Sequence, residues 1–198
     1  MILNYLVLPS VILTFITATV LLINWDWRIS IFSLGLQYLC VFVLISLSWP
    51  IETAAVKVVA GWMAGAVLGL ALLNLPQENI NGKPMLISDI IFRLIAAILA
   101  GLFAISGSAR LVIWLPEINL QAAYGAMILI SLGLLHLGLT NHAFRVILGL
   151  LTILSGFEIL YAAIVSSILI TGLLAIVTLG LAIVGAYMLT APTLEEAS

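Results

Sequence analysis

Uninterrupted apolar runs constrain this chain more than any other feature. Seven stretches, at about 2–24, 29–49, 53–74, 88–107, 120–140, 144–165 and 168–190, pass with almost no charge through lengths near twenty residues. A bilayer hydrocarbon core about 30 Å thick needs about 20 apolar residues per helical crossing, so each run has the length of one span. The 198 residues are 65% hydrophobic and 7% charged, whereas soluble domains carry roughly 25% charged residues. The sequence therefore predicts an all-α polytopic membrane protein of about seven transmembrane helices. Seven spans consume nearly the whole length, leaving no room for a soluble domain.

The runs are punctuated by Trp25-Asp26-Trp27-Arg28, Trp49-Pro50, the polar stretch from Leu75 to Pro84, Pro116-Glu117, Asn141-His142 and Ser166-Ser167. Trp25, Trp27, Trp49 and Trp114 fall near predicted helix ends, where indole rings anchor at headgroup level. The first run lacks the charged leader of a secretory signal and a small-residue cleavage site, and reads as a retained helix. If the spans alternate, Arg28, Lys83, Arg93 and Arg145 lie near one side and Lys57 and Arg110 near the other. The positive-inside rule then places the N-terminus outside and the acidic end, Glu195-Glu196, in the cytoplasm.

Several function classes fall away. Six scattered Lys and Arg with a net charge of −2 provide no basic cluster for a phosphate backbone, so nucleic acid is not an expected partner. Cys40 is the single cysteine, so it has no intramolecular disulfide partner. His136 and His142, six residues apart, would fall on different faces of one helix, and no cluster of ligands completes a metal or haem site. There is no HExxH, GxSxG or phosphate-binding glycine loop. No catalytic residue, metal or cofactor is expected.

What remains are polar residues inside apolar runs. Glu158 lies 14 residues past Phe144, or ~20 Å at 1.5 Å per residue, well inside the hydrocarbon. An ionised carboxylate there costs about 2.5–3.5 kcal/mol, so Glu158 should face protein and be either protonated or paired. Ser155 and Ala162 share its face and leave room for a neighbouring helix or water. Proton or ion handling and static helix-to-helix bonding are both open to it.

Lys57 sits a few residues inside the third run. It can snorkel to the interface, or, because it shares a face with Gly61, it can be buried and paired with a carboxylate or act in a relay. His136, near the end of the fifth run, has a side chain suited to proton relay or simply to packing. Asp89 and Arg93, at i and i+4, suit a local ion pair. Gly61, Gly65 and Gly69 recur every four residues and predict a face for docking another helix or subunit.

The segment Asn141-His142-Ala143-Phe144-Arg145, followed by Gly149 and then Gly156-Phe157-Glu158-Ile159, resembles the small K-type membrane subunit of respiratory complex I. That family brings basic residues to the cytoplasmic start of this helix and carries a mid-helix Gly-Leu-Glu. Over the whole chain the order of features is similar to membrane component E of energy-converting hydrogenases of the formate hydrogenlyase type, including Trp27-Arg28-Ile29-Ser30 leading to Gln37 and the Val56-Lys57-Val58 start of the third run. The resemblance divides the chain into five N-terminal helices over 1–140 and a K-type-like hairpin with a short acidic tail over 141–198.

It also implies a non-catalytic subunit of a redox-linked or Mrp-like proton- or cation-translocating complex. The subunit would lie beside antiporter-like and other membrane subunits in a prokaryotic or organellar energy-transducing membrane. Glu158 would be a protonatable station on a central hydrophilic axis, with Lys57 and His136 as further pathway candidates. The complex I subunit has a second intramembrane carboxylate in an adjacent helix. The last run here, Ile168 to Thr190, has no acid, and its hydroxyls are Thr171, Thr178, Tyr187 and Thr190. A structural or assembly subunit without a direct ion path is therefore the alternative reading. A self-contained small transporter is a further one, although the sequence shows neither the internal repeat nor the mid-membrane breaks typical of such proteins.

Overall fold

Seven helices account for nearly all of the computed structural model, which describes residues 2–73, 75, 86–165 and 167–196. In chain order they are α1 (Ile2–Ile23), α2 (Trp27–Ile45), α3 (Ile51–Leu73), α4 (Ile87–Trp114), α5 (Leu120–Gly138), α6 (Ala143–Ile164) and α7 (Ile168–Glu196). Each contains a segment long and apolar enough to cross a bilayer. The chain is an all-α integral membrane protein. Backbone groups in hydrocarbon must be satisfied internally, and unbroken helices achieve this without water.

Local chemistry sets several helix starts. The Asp26 carboxylate accepts from the Arg28 N–H at the head of α2, and the Asn119 side chain accepts from the Gln121 N–H at the head of α5. These caps satisfy amides that the first helical turn leaves unpaired. Pro50 immediately precedes α3, and Glu52 lies in that helix's first turn, where a negative charge complements the helix dipole.

Two helices outrun the sequence expectation. The fourth span was expected to close at 107, but α4 continues to Trp114. Ser108, just past that expected end, is accommodated within the helix: its hydroxyl donates to the Ala104 carbonyl at 2.6 Å and lies 3.2 Å from the Ala123 carbonyl of α5. Helix α7 extends past 190 to Glu196, so the acid pair is its last turn. The polar break over 75–84, with Lys83, lies outside the described residues except for Leu75, as does Ser166.

The helices form two facing rows. In one, α1, α2 and α3 pack side by side; in the other, α5, α6 and α7 do the same; α1 faces α5, α2 faces α6, α3 faces α7, and α4 flanks α5 and α1. The closest approach is between α5 and α6. A Cβ on Gly156 would sit 2.7 Å from the Ala126 carbonyl, and one on Gly133 would sit 3.0 Å from the Ile153 amide. Both glycines are needed for backbone to meet backbone, the close packing that drives helix association in lipid.

The Gly61-Gly65-Gly69 face packs on α2 of the same chain. Gly61 receives the Tyr38 ring and Gly69 the Ile31 side chain. The tryptophans divide. Trp114 is exposed, whereas Trp27 and Trp49 are buried, contrary to the expectation of headgroup anchors. The Trp49 indole N–H donates to the Val165 carbonyl at 3.1 Å, pinning the α2–α3 turn to the end of α6.

Candidate functional site

The buried face of α6 carries Arg145, Thr152, Ser155 and Glu158. These positions repeat at seven and then three residues, so they fall in one stripe on a 3.6-residue helix. The two-row arrangement turns that stripe toward α2, with α3 and α7 alongside.

At its deep end Glu158 meets Lys57 of α3. The ammonium donates to Glu158 Oε1, and the side chains are 1% and 0% exposed. This is the ion pair present among the described residues. Lys57 therefore does not snorkel to the interface. It lies six residues into α3, and Glu158 lies six residues before the end of α6, so both stand ~9 Å from the same end of the bundle. Stripping water from two charges costs several kcal/mol per ion, and the close contact offsets that cost.

Three hydroxyls crowd the pair. Tyr38 of α2 is fully buried, and its ring rests on Gly61, one turn along α3 from Lys57. The Tyr38 hydroxyl stands beside those of Ser155 and Thr178, and Thr178 of α7 also stands beside Glu158. The Ser155 and Thr178 hydroxyls donate to carbonyls in their own helices, leaving lone pairs free.

Toward the other end the stripe continues with Thr152, which takes a long hydrogen bond from the Gln37 amide of α2, 3.4 Å. Gln37 is fully buried and its carbonyl oxygen has no partner. Beyond it, Leu21, Leu34 and Leu148, each at most 1% exposed, pack in one apolar cluster. Polar groups thus extend from Glu158 to Thr152, six residues or ~9 Å along the axis, and then give way to leucines.

Past the leucines is a second polar region. The Arg145 guanidinium donates to the carbonyls of Asn24 at 3.0 Å and Leu22 at 2.6 Å, and is 3.4 Å from that of Leu21. It also lies over the Trp25 ring, 4.7 Å from its centroid. Arg93 of α4 donates to the Leu22 carbonyl at 3.0 Å and to the Leu139 carbonyl at 2.9 Å. These carbonyls end α1 and α5, where the helix dipole concentrates partial negative charge. The expected Asp89–Arg93 ion pair is not formed, because Arg93 turns to those carbonyls instead.

His136 belongs to this second region. It is 2% exposed, and it lies in the field of the Arg145 and Arg93 guanidiniums. No hydrogen bond joins it to Lys57 or Glu158 among the described residues. His142 is exposed, edge-on to Trp25 at 5.1 Å.

Sequence reasoning thus singled out both members of the pair but not their meeting, and it did not single out Tyr38 or Thr152. Gln37 entered through the resemblance alone. The missed signal was a polar side chain inside a run that otherwise had to be apolar. Among the described residues no three His, Cys, Asp or Glu side chains group as metal ligands. No protein-family model, no curated protein and no solved structure matches the chain.

Chemically, a buried ammonium–carboxylate contact has two arrangements of equal net charge. Moving one proton from Lys57 Nζ to Glu158 Oε1 converts the ion pair into an amine and a carboxylic acid, without adding charge to the membrane interior. The two groups titrate as a unit. A proton or cation arriving nearby displaces the balance between the two forms.

Proposed function

We propose that the chain is a non-catalytic membrane subunit of a redox-linked or Mrp-like proton- or cation-translocating complex, with the Lys57–Glu158 pair as a protonatable station. The observation that carries this reading is the pair itself: two ionisable groups in direct contact, wholly withdrawn from water inside the helix bundle. Intramembrane ionisable residues of this kind mark ion and proton pathways. The likeness of the α6 segment to the K-type subunit supports the same reading. Lys57 of α3 is the ionisable partner in a chain whose last apolar run, Ile168 to Thr190, has no acid. Antiporter-like and other membrane subunits are the partners this reading requires, in a prokaryotic or organellar energy-transducing membrane.

In the orientation we propose, the N-terminus is outside and the acidic end of α7 is cytoplasmic. Arg93 and Arg145, gathered at the α1 carbonyl end, and Arg28, which opens α2 beside them, would then face the cytoplasm. That assignment follows the positive-inside rule. The Lys57–Glu158 pair would lie nearer the outer face, and His136 at the cytoplasmic side of the leucines.

A second reading, a structural or assembly subunit, is favoured by one observation. The pair ties α3 to α6, and apolar core closes the stripe on the arginine side. Glu158→Gln separates the two. In native membranes where the complex assembles to wild-type level, proton or cation translocation should fall at least about tenfold, the equivalent of 1.4 kcal/mol in a barrier. Unchanged translocation leaves the structural reading.

A further inference from the structure

Between α2 and α3, on the side away from the other row, the surface is furrowed. Two adjoining cavities of about 300 and 440 Å³ lie along the seam and share Ile31, Gly65 and Ala66. They reach from Arg28 to Leu39 on α2. The 11 steps from Arg28 to Leu39 rise ~17 Å, close to the depth of one leaflet of a core about 30 Å thick. The furrow therefore starts at headgroup level and ends near the middle of the membrane.

Its walls are apolar, and its openness has a specific cause. A Cβ on Gly35 would meet nothing nearer than the Trp62 ring at 3.8 Å, and one on Gly65 nothing nearer than Ile31 at 3.6 Å. Both are ordinary contacts, so helix packing does not require glycine at either position. Gly61 differs, because a Cβ there would collide with the Tyr38 ring. What the absent side chains at Gly35 and Gly65 do, together with the small Ala66, is keep the furrow empty of protein.

The mouth is cationic. Arg28 lines it and is exposed, its guanidinium 5.3 Å from the Trp27 ring centroid. It has no acidic ion-pair partner among the described residues. The neighbouring Asp26 carboxylate is directed to the Arg28 backbone N–H as the cap of α2. An apolar furrow of one leaflet's depth, with a cation at headgroup level that has no acidic partner among the described residues, complements a molecule with one long hydrocarbon chain and an anionic head.

We infer that the α2–α3 furrow binds an acyl chain of an anionic phospholipid whose phosphate is held by Arg28. The site is independent of the ion-path reading, since Arg28, Gly35, Gly65 and Ala66 take no part in the Lys57–Glu158 contact.

The test is lipid retention by the detergent-purified protein, counted by native mass spectrometry after exposure to phosphatidylglycerol or phosphatidylcholine of equal chain length. Wild type should retain phosphatidylglycerol in preference to phosphatidylcholine. Arg28→Gln should cut that preference about fivefold, the discrimination expected of one interfacial cation. Ala66→Phe, at an exposed position, should abolish retention of both lipids while leaving the melting temperature intact. Gly35→Val provides the same block from the opposite wall if Ala66→Phe misfolds. Equal retention of the two lipids by wild type overturns the inference, as does undiminished retention in folded blocking variants. Recovery of an isoprenoid quinone in place of phospholipid overturns it as well.

Discussion

The molecule carries two buried polar regions that solve the same problem in opposite ways. At Lys57–Glu158 the countercharge for a buried ion is another side chain, brought from a helix 101 residues away. At Arg93 and Arg145 it is the backbone: two guanidiniums sit on the terminal carbonyls of α1 and α5. A carbonyl neither gains nor loses a proton, so these guanidinium contacts are electrically fixed. The carboxylate–ammonium pair can redistribute a proton without changing its net charge. This difference is why we propose ion handling for the first region and helix anchoring for the second.

The largest expected effect comes from breaking the pair one side at a time. Lys57→Met or Glu158→Leu strands a buried charge and should cost about 3–5 kcal/mol, measured by unfolding in detergent, whereas the double variant Lys57→Met/Glu158→Leu should recover most of that loss. A double variant as unstable as the singles would mean that the pair contributes net stability.

Arg145→Ala should cost about 1.5–3 kcal/mol for the lost charge-assisted bonds, with α1 loosened at its carbonyl end. Hydrogen exchange at the α1–α2 turn reads this directly. Here a second substitution cannot restore stability, because the partners are backbone atoms. That asymmetry sharpens the contrast between the two regions.

Gly61→Ala should cost about 1–3 kcal/mol by overpacking against Tyr38, and it should disturb ion translocation through the displaced ring. Gly65→Ala, four residues along the same stripe, should shift stability by under ~0.5 kcal/mol. Equal thermal shifts for the two would contradict the packing described for that face.

These variants also mark how far the sequence was legible. The seven spans followed from run length alone, because hydrocarbon thickness is a single external ruler. The ends of α4 and α7 did not, since Ser108 satisfies its hydroxyl inside the helix and nothing in composition announces that. Glu158 stood out because an acid at its depth demands an explanation. Its partner did not, because Lys57 is six residues into a span and sequence spacing offers a snorkelling lysine and a buried one the same position. Pairing depends on α3 and α6 lying against common neighbours, which is tertiary information. The glycine stripe was visible, but periodicity could not rank Gly61 above Gly65, nor could it identify Gly133 and Gly156 as the points where backbones meet.

The most direct test of the central claim uses the double variant Lys57→Met/Glu158→Leu, which removes both ionisable groups while filling their space with apolar atoms. Its folding and assembly should approach wild type, and proton or cation translocation by membranes carrying it should be lost. Translocation at the wild-type rate in the assembled double variant would contradict the account, and the pair would be a bond between helices and nothing more.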